Sequence, residues 1–192
     1  MARPDFRAAD AVAVRKSMAL LDGPLDLTLP TPCAGWTLAD LVAHMTAQHR
    51  GFAAAARGGG ADGSVWKHDP ADSYAEAAED VIAAFAGVGS LDAPFMLPEI
   101  NAGEPFPAWQ AMSFHLVDYV VHGWDVARTL SLTFSLPVDV FAATLPIAER
   151  VPDGPTRLRP GAGFAPGLPV AEDASTLDRI LALLGRSPAW PE

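Results

Sequence analysis

The stretch FHLVDYVVHGWDVA, residues 114–127, constrains the fold more than any other segment. It sets His115, Asp118, His122 and Asp125 inside an otherwise apolar run. The offsets of three, four and three suit a helix. At about 100° per residue the four side chains fall within roughly 80° of one another. One face of one helix therefore bears His, Asp, His and Asp, while Phe114, Leu116, Val117, Val120 and Val121 cover the other faces. Such a face is too polar for a plain core stripe, and its surroundings are too apolar for a solvated one.

Four helical stretches emerge along the chain. The first covers residues 6–21. The second starts after PCAGW, where Thr37 and Asp40 form a Thr-x-x-Asp pattern close to a capping box, and it is stopped by Gly58, Gly59 and Gly60. The third covers residues 71–86, opened by Pro70, and the fourth covers 107–130. A shorter helix disturbed by Pro146 follows, then a Pro/Gly-rich joint and a last helix, STLDRILALLG. No Val/Ile/Thr alternation bounded by hairpin turns predicts a strand. The economical architecture is all-α, an up-and-down four-helix bundle with a C-terminal helical extension, forming a single domain over residues 1–192. The stretch FMLPEINAGEP is long for a bundle turn and is expected to cover one end of a site.

Composition narrows the function. A formal charge of −10 on 192 residues, with basic residues scattered and Lys16 and Lys67 the lysines, excludes a basic groove for nucleic acid. The apolar runs are too short and interrupted to span a bilayer. The N-terminal stretch lacks the continuous apolar core of a signal peptide. Cys33 is the one cysteine, so no internal disulfide can form. A cytoplasmic location is expected.

Residue pairs four apart on a helix point the same way, about 6 Å apart along the axis, so Asp118 and His122 can share one metal ion. His115 and Asp118 offer a second pairing at spacing three, whereas His115 and His122, about 10.5 Å apart, do not fit one ion. A third ligand must come from another helix. His44, flanked by Leu41, Val42 and Met45, supplies it from the apolar face of the second helix. His49 lies about 140° further round and is expected at the surface, and His68 in a loop. The set His44, Asp118 and His122 leaves coordination positions free, as in catalytic sites. His115 and Asp125 would then orient a ligand, move a proton or support the ligating side chains. Cys33 and Trp36 read as structural parts of the turn before the second helix, Trp124 as core, and Arg50 and Arg128 as solvated helix residues.

TPCAGWTLADLVAHM and HLVDYVVHGWDVA together resemble the two signature stretches of the DinB-like helical bundles. The resemblance is closest to the branch that includes the N-terminal domain of mycothiol-dependent maleylpyruvate isomerase, and it covers most of the chain. It implies a four-helix bundle holding a divalent metal, zinc or nickel, through positions that correspond to His44, Asp118 and His122. Many relatives carry Glu or His where this chain has the shorter Asp118. The resemblance also implies a transferase or isomerase that uses mycothiol, or another low-molecular-weight thiol, on a small electrophile. A metal at an open site would hold such a thiol as its reactive thiolate. The isomerisation itself is not carried over, because that enzyme's second domain contributes to its site. A non-catalytic metal-binding bundle of stress-response or sensor type is the alternative, and a metal-free internal hydrogen-bond network is the third reading. A homodimer is the expected assembly.

Overall fold

The structure, a computed structural model, describes residues 3–159 and 162–191. Residues 160 and 161, within the Pro/Gly-rich joint, lie outside the described residues. The described residues form six α-helices and one two-stranded sheet. The long helices are α1 (Arg7–Leu20), α2 (Leu38–Ala56), α3 (Tyr74–Ala86) and α4 (Ala108–Thr129). They are followed by α5 (Val138–Ala148) and α6 (Thr176–Leu183). α1 packs on α3 and α4, and α2 packs on the same two helices. No helix among the described residues is long and apolar enough to cross a membrane.

The capping chemistry explains the boundaries. Thr37 Oγ1 accepts from the Asp40 N–H at 3.3 Å and the Asp40 carboxylate accepts from the Thr37 N–H at 2.9 Å, closing the box read in the sequence. α3 starts later than Pro70 suggests, since Ser73 is its N-cap and accepts from the Glu76 N–H. Asp69 instead holds a preceding turn by accepting from the Ala71 N–H at 2.9 Å. α5 runs through Pro146 and ends two residues later, at Ala148.

The sheet corrects the expectation of an all-helical chain. β1 (Pro94–Leu97) pairs antiparallel with β2 (Asn101–Pro107), joining Phe95 to Phe106 and Leu97 to Asn101 with an irregularity between. Tertiary contact makes this hairpin rather than strand propensity: Phe95 and Leu97 are 1% exposed and pack toward α2 and α4, while β2 is mostly solvated. The turn before the hairpin caps α4. Pro107 at the N-cap brings no side-chain acceptor, and the Ala108 and Trp109 N–H groups donate instead to Ala93 O (2.8 Å) and Leu91 O (2.9 Å).

Two apolar clusters fill the interior. One surrounds Leu41, Met45, Leu116, Val120 and Trp124 and continues to Ile180 and Leu181 of α6. The other joins Phe52, Trp66, Phe85, Phe95 and Met112. The C-terminal segment is thus fastened to the helices, and Arg128 Nε donates to Trp190 O at 2.9 Å, so Arg128 is not simply solvated. Replacing Thr37 by Ala removes the cap from α2; urea unfolding is expected to show a loss of about 1 kcal/mol with an unchanged m-value.

Candidate metal centre

Two helices bring His44, Asp118 and His122 together. Each offers one ligand atom, and the three atoms lie within 4.8 Å of one another. His122 Nε2 is 3.4 Å from Asp118 Oδ1. The His44 ring stands edge-on to that of His122, with centroids 5.2 Å apart, and Trp36 lies 5.0 Å from His44 on the other side. His122 is buried, whereas His44 and Asp118 are half-buried and Trp36 is partly exposed, so the cluster has one wet side. Burial lowers the basicity of His44, with His122 adding to the effect against the pull of Asp118 and Glu99. Glu99, at the hairpin turn, also accepts from Gln48 Nε2 at 2.7 Å, which places that turn beside α2.

The far side of His122 is dry. Its Nδ1 is 2.9 Å from Asp125 Oδ2, and Asp125 is fully buried. Arg186 Nε donates to both Asp125 oxygens, at 3.2 and 3.3 Å, and its Nη2 donates to Cys33 Sγ at 3.1 Å. The Cys33 thiol in turn donates to Asp125 Oδ2 at 3.2 Å. Burial of Asp125, which alone would raise its carboxyl, is outweighed by His122 and Arg186, and the group is held below the usual carboxylate range. Burial likewise opposes the charge on His122, but Asp118 and Asp125 overcome it and hold the ring's basicity well above normal.

Arg186 escaped the sequence reading because nothing in residues 114–127 points to a position some sixty residues later. Its placement is nevertheless local chemistry. Gly185 takes φ +73° at the end of α6, its N–H bonds to Ala182 O, and the Arg186 N–H bonds to Leu181 O at 2.9 Å. This is a Schellman ending, and it aims Arg186 back at α4. A Cβ on Gly185 would stand 2.5 Å from Ala165 O.

His115 does not join this cluster. It is 0% exposed, with Nδ1 2.7 Å from Asp10 Oδ1 on α1 and Nε2 3.2 Å from His49 Nδ1 on α2. His49, expected at the surface, is 0% exposed and stacks on Tyr119 with centroids 4.0 Å apart. Its Nε2 finds no hydrogen-bond partner among the described residues. Asp10 was legible in principle: Asp10, Ala13, Val14 and Ser17, all buried, follow the i, i+3, i+4, i+7 stripe of α1. The polar face of α4 therefore serves two separate clusters, and the partners of His115 lie in the one without metal-ligand geometry.

The family model described as "Mycothiol maleylpyruvate isomerase N-terminal domain" matches residues 7–127. Two uncharacterized proteins from two strains of Mycobacterium tuberculosis are each 29% identical over 191 residues, covering 94% of this chain and 94% of theirs. No solved structure matches. The matched segment ends two residues after Asp125 and leaves out Arg186.

His49 yields an expected pH dependence. Burial, with His115 and Arg50, holds its basicity well below 6.5, so the unfolded chain binds the proton first. Its contribution to stability is therefore intact above about pH 6.5 and is lost as pH falls from there toward the folded value, by at most about 1.4 kcal/mol per pH unit. His122 has the opposite sign but is common to both proteins when wild type is compared with His49→Phe. Urea unfolding of the metal-free proteins across this range is expected to show a shallower acid loss in the variant.

Proposed function

Because the chain belongs to the mycothiol maleylpyruvate isomerase N-terminal domain family, we propose that it holds one divalent metal ion through His44, Asp118 and His122 and uses it to activate a low-molecular-weight thiol. In this reading the thiol, of mycothiol type, attacks a small electrophile, and the protein is a transferase or isomerase. The observation that carries it is the ligand set itself: two imidazoles and a carboxylate from two helices, their atoms within 4.8 Å, with Asp125 behind one imidazole. Three protein ligands and an open position are the pattern of catalytic zinc sites, and the N,O donors suit zinc or nickel.

A bound ion would supply Lewis acidity that holds an incoming thiol as thiolate. The chain's own groups supply the rest. Asp125 accepts from His122 Nδ1 and so leaves Nε2 as the nitrogen that faces Asp118 and His44. Trp36 and half-buried Asp118 border the wet side, from which a thiol and an electrophile would enter. Arg186 and Cys33 close the opposite side against water. The finer architecture that goes with this reading is an up-and-down bundle of α1 to α4, and the setting is a cytoplasmic protein acting on small molecules, with a homodimer as its assembly.

Turnover of an electrophile panel separates this reading from a metal-binding module without catalysis. Product formation is expected only with both the ion and a low-molecular-weight thiol present. Binding of one ion with no thiol-dependent turnover would favour the non-catalytic module. Asp125→Asn is expected to lower zinc affinity about 10–100-fold, measured by competition with a chromophoric chelator.

A further inference from the structure

His122 belongs to two overlapping ligand clusters. Through Nε2 it faces Asp118 and His44, and through Nδ1 it faces Cys33 and Asp125. The second cluster is fully buried, with Sγ to Oδ2 3.2 Å, Sγ to Nδ1 3.8 Å and Nδ1 to Oδ2 2.9 Å. Those edges are hydrogen-bond lengths, and widening the two shorter ones by about 0.3–0.4 Å gives the spacing of three ligands of one tetrahedral ion, a thiol among them. By ligand softness it would be the stronger trap for a zinc-like ion. A protein that kept its ion there would fill with its own sulfur the coordination position that an incoming thiol needs.

One residue stands in the way. The guanidinium of Arg186, 6% exposed, already donates to Cys33 Sγ and to both oxygens of Asp125. It occupies the cation's place in this cluster, and a divalent ion entering beside it would meet a buried like charge. Arg186 also keeps Asp125 as the acceptor for His122 Nδ1–H, so the nitrogen that can yield its proton to an ion is Nε2. Arg186 comes from the turn after α6, outside the segment that defines the family match.

We infer that Arg186 is the residue that selects between the two clusters, barring the Cys33 side and committing a divalent ion to His44, Asp118 and Nε2 of His122. It is a positioning and specificity-determining residue, and the C-terminal segment is thereby a working part of the site. The inference rests on the reading that these three residues hold an ion. With the guanidinium gone, a divalent ion would take its place between Cys33 Sγ, Asp125 and His122 Nδ1, displacing the thiol proton and the Nδ1 proton to solvent.

Cobalt(II) tests this in the full chain in thiol-free buffer, because a cobalt–thiolate bond adds a near-ultraviolet charge-transfer band that nitrogen and oxygen ligands do not give. The wild type is expected to bind cobalt without that band, and Arg186→Lys to do the same, since it keeps the charge. Arg186→Gln is expected to gain the band, and Arg186→Gln combined with Cys33→Ser to lose it. A band in the wild type, or cobalt bound to Arg186→Gln with no band, overturns the selection. Loss of Arg186 puts the fold at risk, so Cys33→Ser alone provides an independent arm. Its cobalt spectrum is expected to match the wild type, and a changed one overturns the inference. A wild type that binds no cobalt would instead overturn the underlying metal reading, and the selection with it.

Discussion

The imidazole of His122 lies between two carboxylates, with Asp118 3.4 Å from one nitrogen and Asp125 2.9 Å from the other, at a depth where only 4% of the residue meets solvent. Such an arrangement is costly to desolvate unless every charge finds a partner, and much of the chain is arranged to provide those partners. Arg186 balances Asp125 from the end of α6. α2 brings His44 and, just before it, the turn that buries Cys33: the Trp36 N–H bonds to Cys33 O at 2.9 Å and the Thr31 N–H to Trp36 O at 3.1 Å. The turn before the hairpin satisfies the opening N–H groups of α4, and the hairpin leans Glu99 toward α2. Each piece makes sense as support for a polar pair on a buried helix.

α4 carries a second polar cluster two turns earlier, and the contrast shows how burial sorts similar residues. Around His115 the partners are Asp10 and His49, and the neighbouring rings are Phe52, Phe85 and Tyr119. Those groups lie in the dry interior, and His115 spends its two ring nitrogens on different partners, Asp10 and His49, so no three ligand atoms of the described residues converge there. Around His122 one side is dry and the other opens through half-buried His44 and Asp118. An ion and its ligands need that open side, and a structural tie between α1, α2 and α4 does not. The same two residue types, His and Asp, therefore serve packing at one level of the helix and a candidate metal centre at the other.

Much of this was legible in the sequence. Periodicity placed the four long helices because each has an apolar stripe and an unambiguous terminus: the Thr37–Asp40 box for α2, and the uninterrupted run from Ala108 to Thr129 for α4. Helical spacing paired Asp118 with His122 because that relation is fixed by the rise and turn of a helix, while His44 was placed with them from its position on the apolar face of α2. What escaped depends on contacts distant in sequence. β1 and β2 are short, with Pro94 opposite Pro107 at the open end of the pairing, and they exist because Phe95 and Leu97 find cover on α2 and α4. His49 looked solvated on geometry alone, and it is buried because Tyr74 of α3 and His115 and Tyr119 of α4 close over that side of α2. Arg186 is set by a helix ending whose target lies on another element. Spacing on a single helix constrains only residues on that helix, and the partners arriving from elsewhere are what it leaves open.

The most direct measurement is the divalent-metal content of the purified full chain, by elemental analysis, beside His44→Ala and His122→Ala prepared in the same way. The account predicts about one ion per chain in the wild type, as expected for a single three-ligand site, and loss of that ion in both variants while helical circular dichroism is retained. An ion that persists in His44→Ala but disappears in His122→Ala would place it on the Cys33 side. A wild type that takes up no zinc or nickel at all would make the polar face of α4 a structural network and contradict the metal centre.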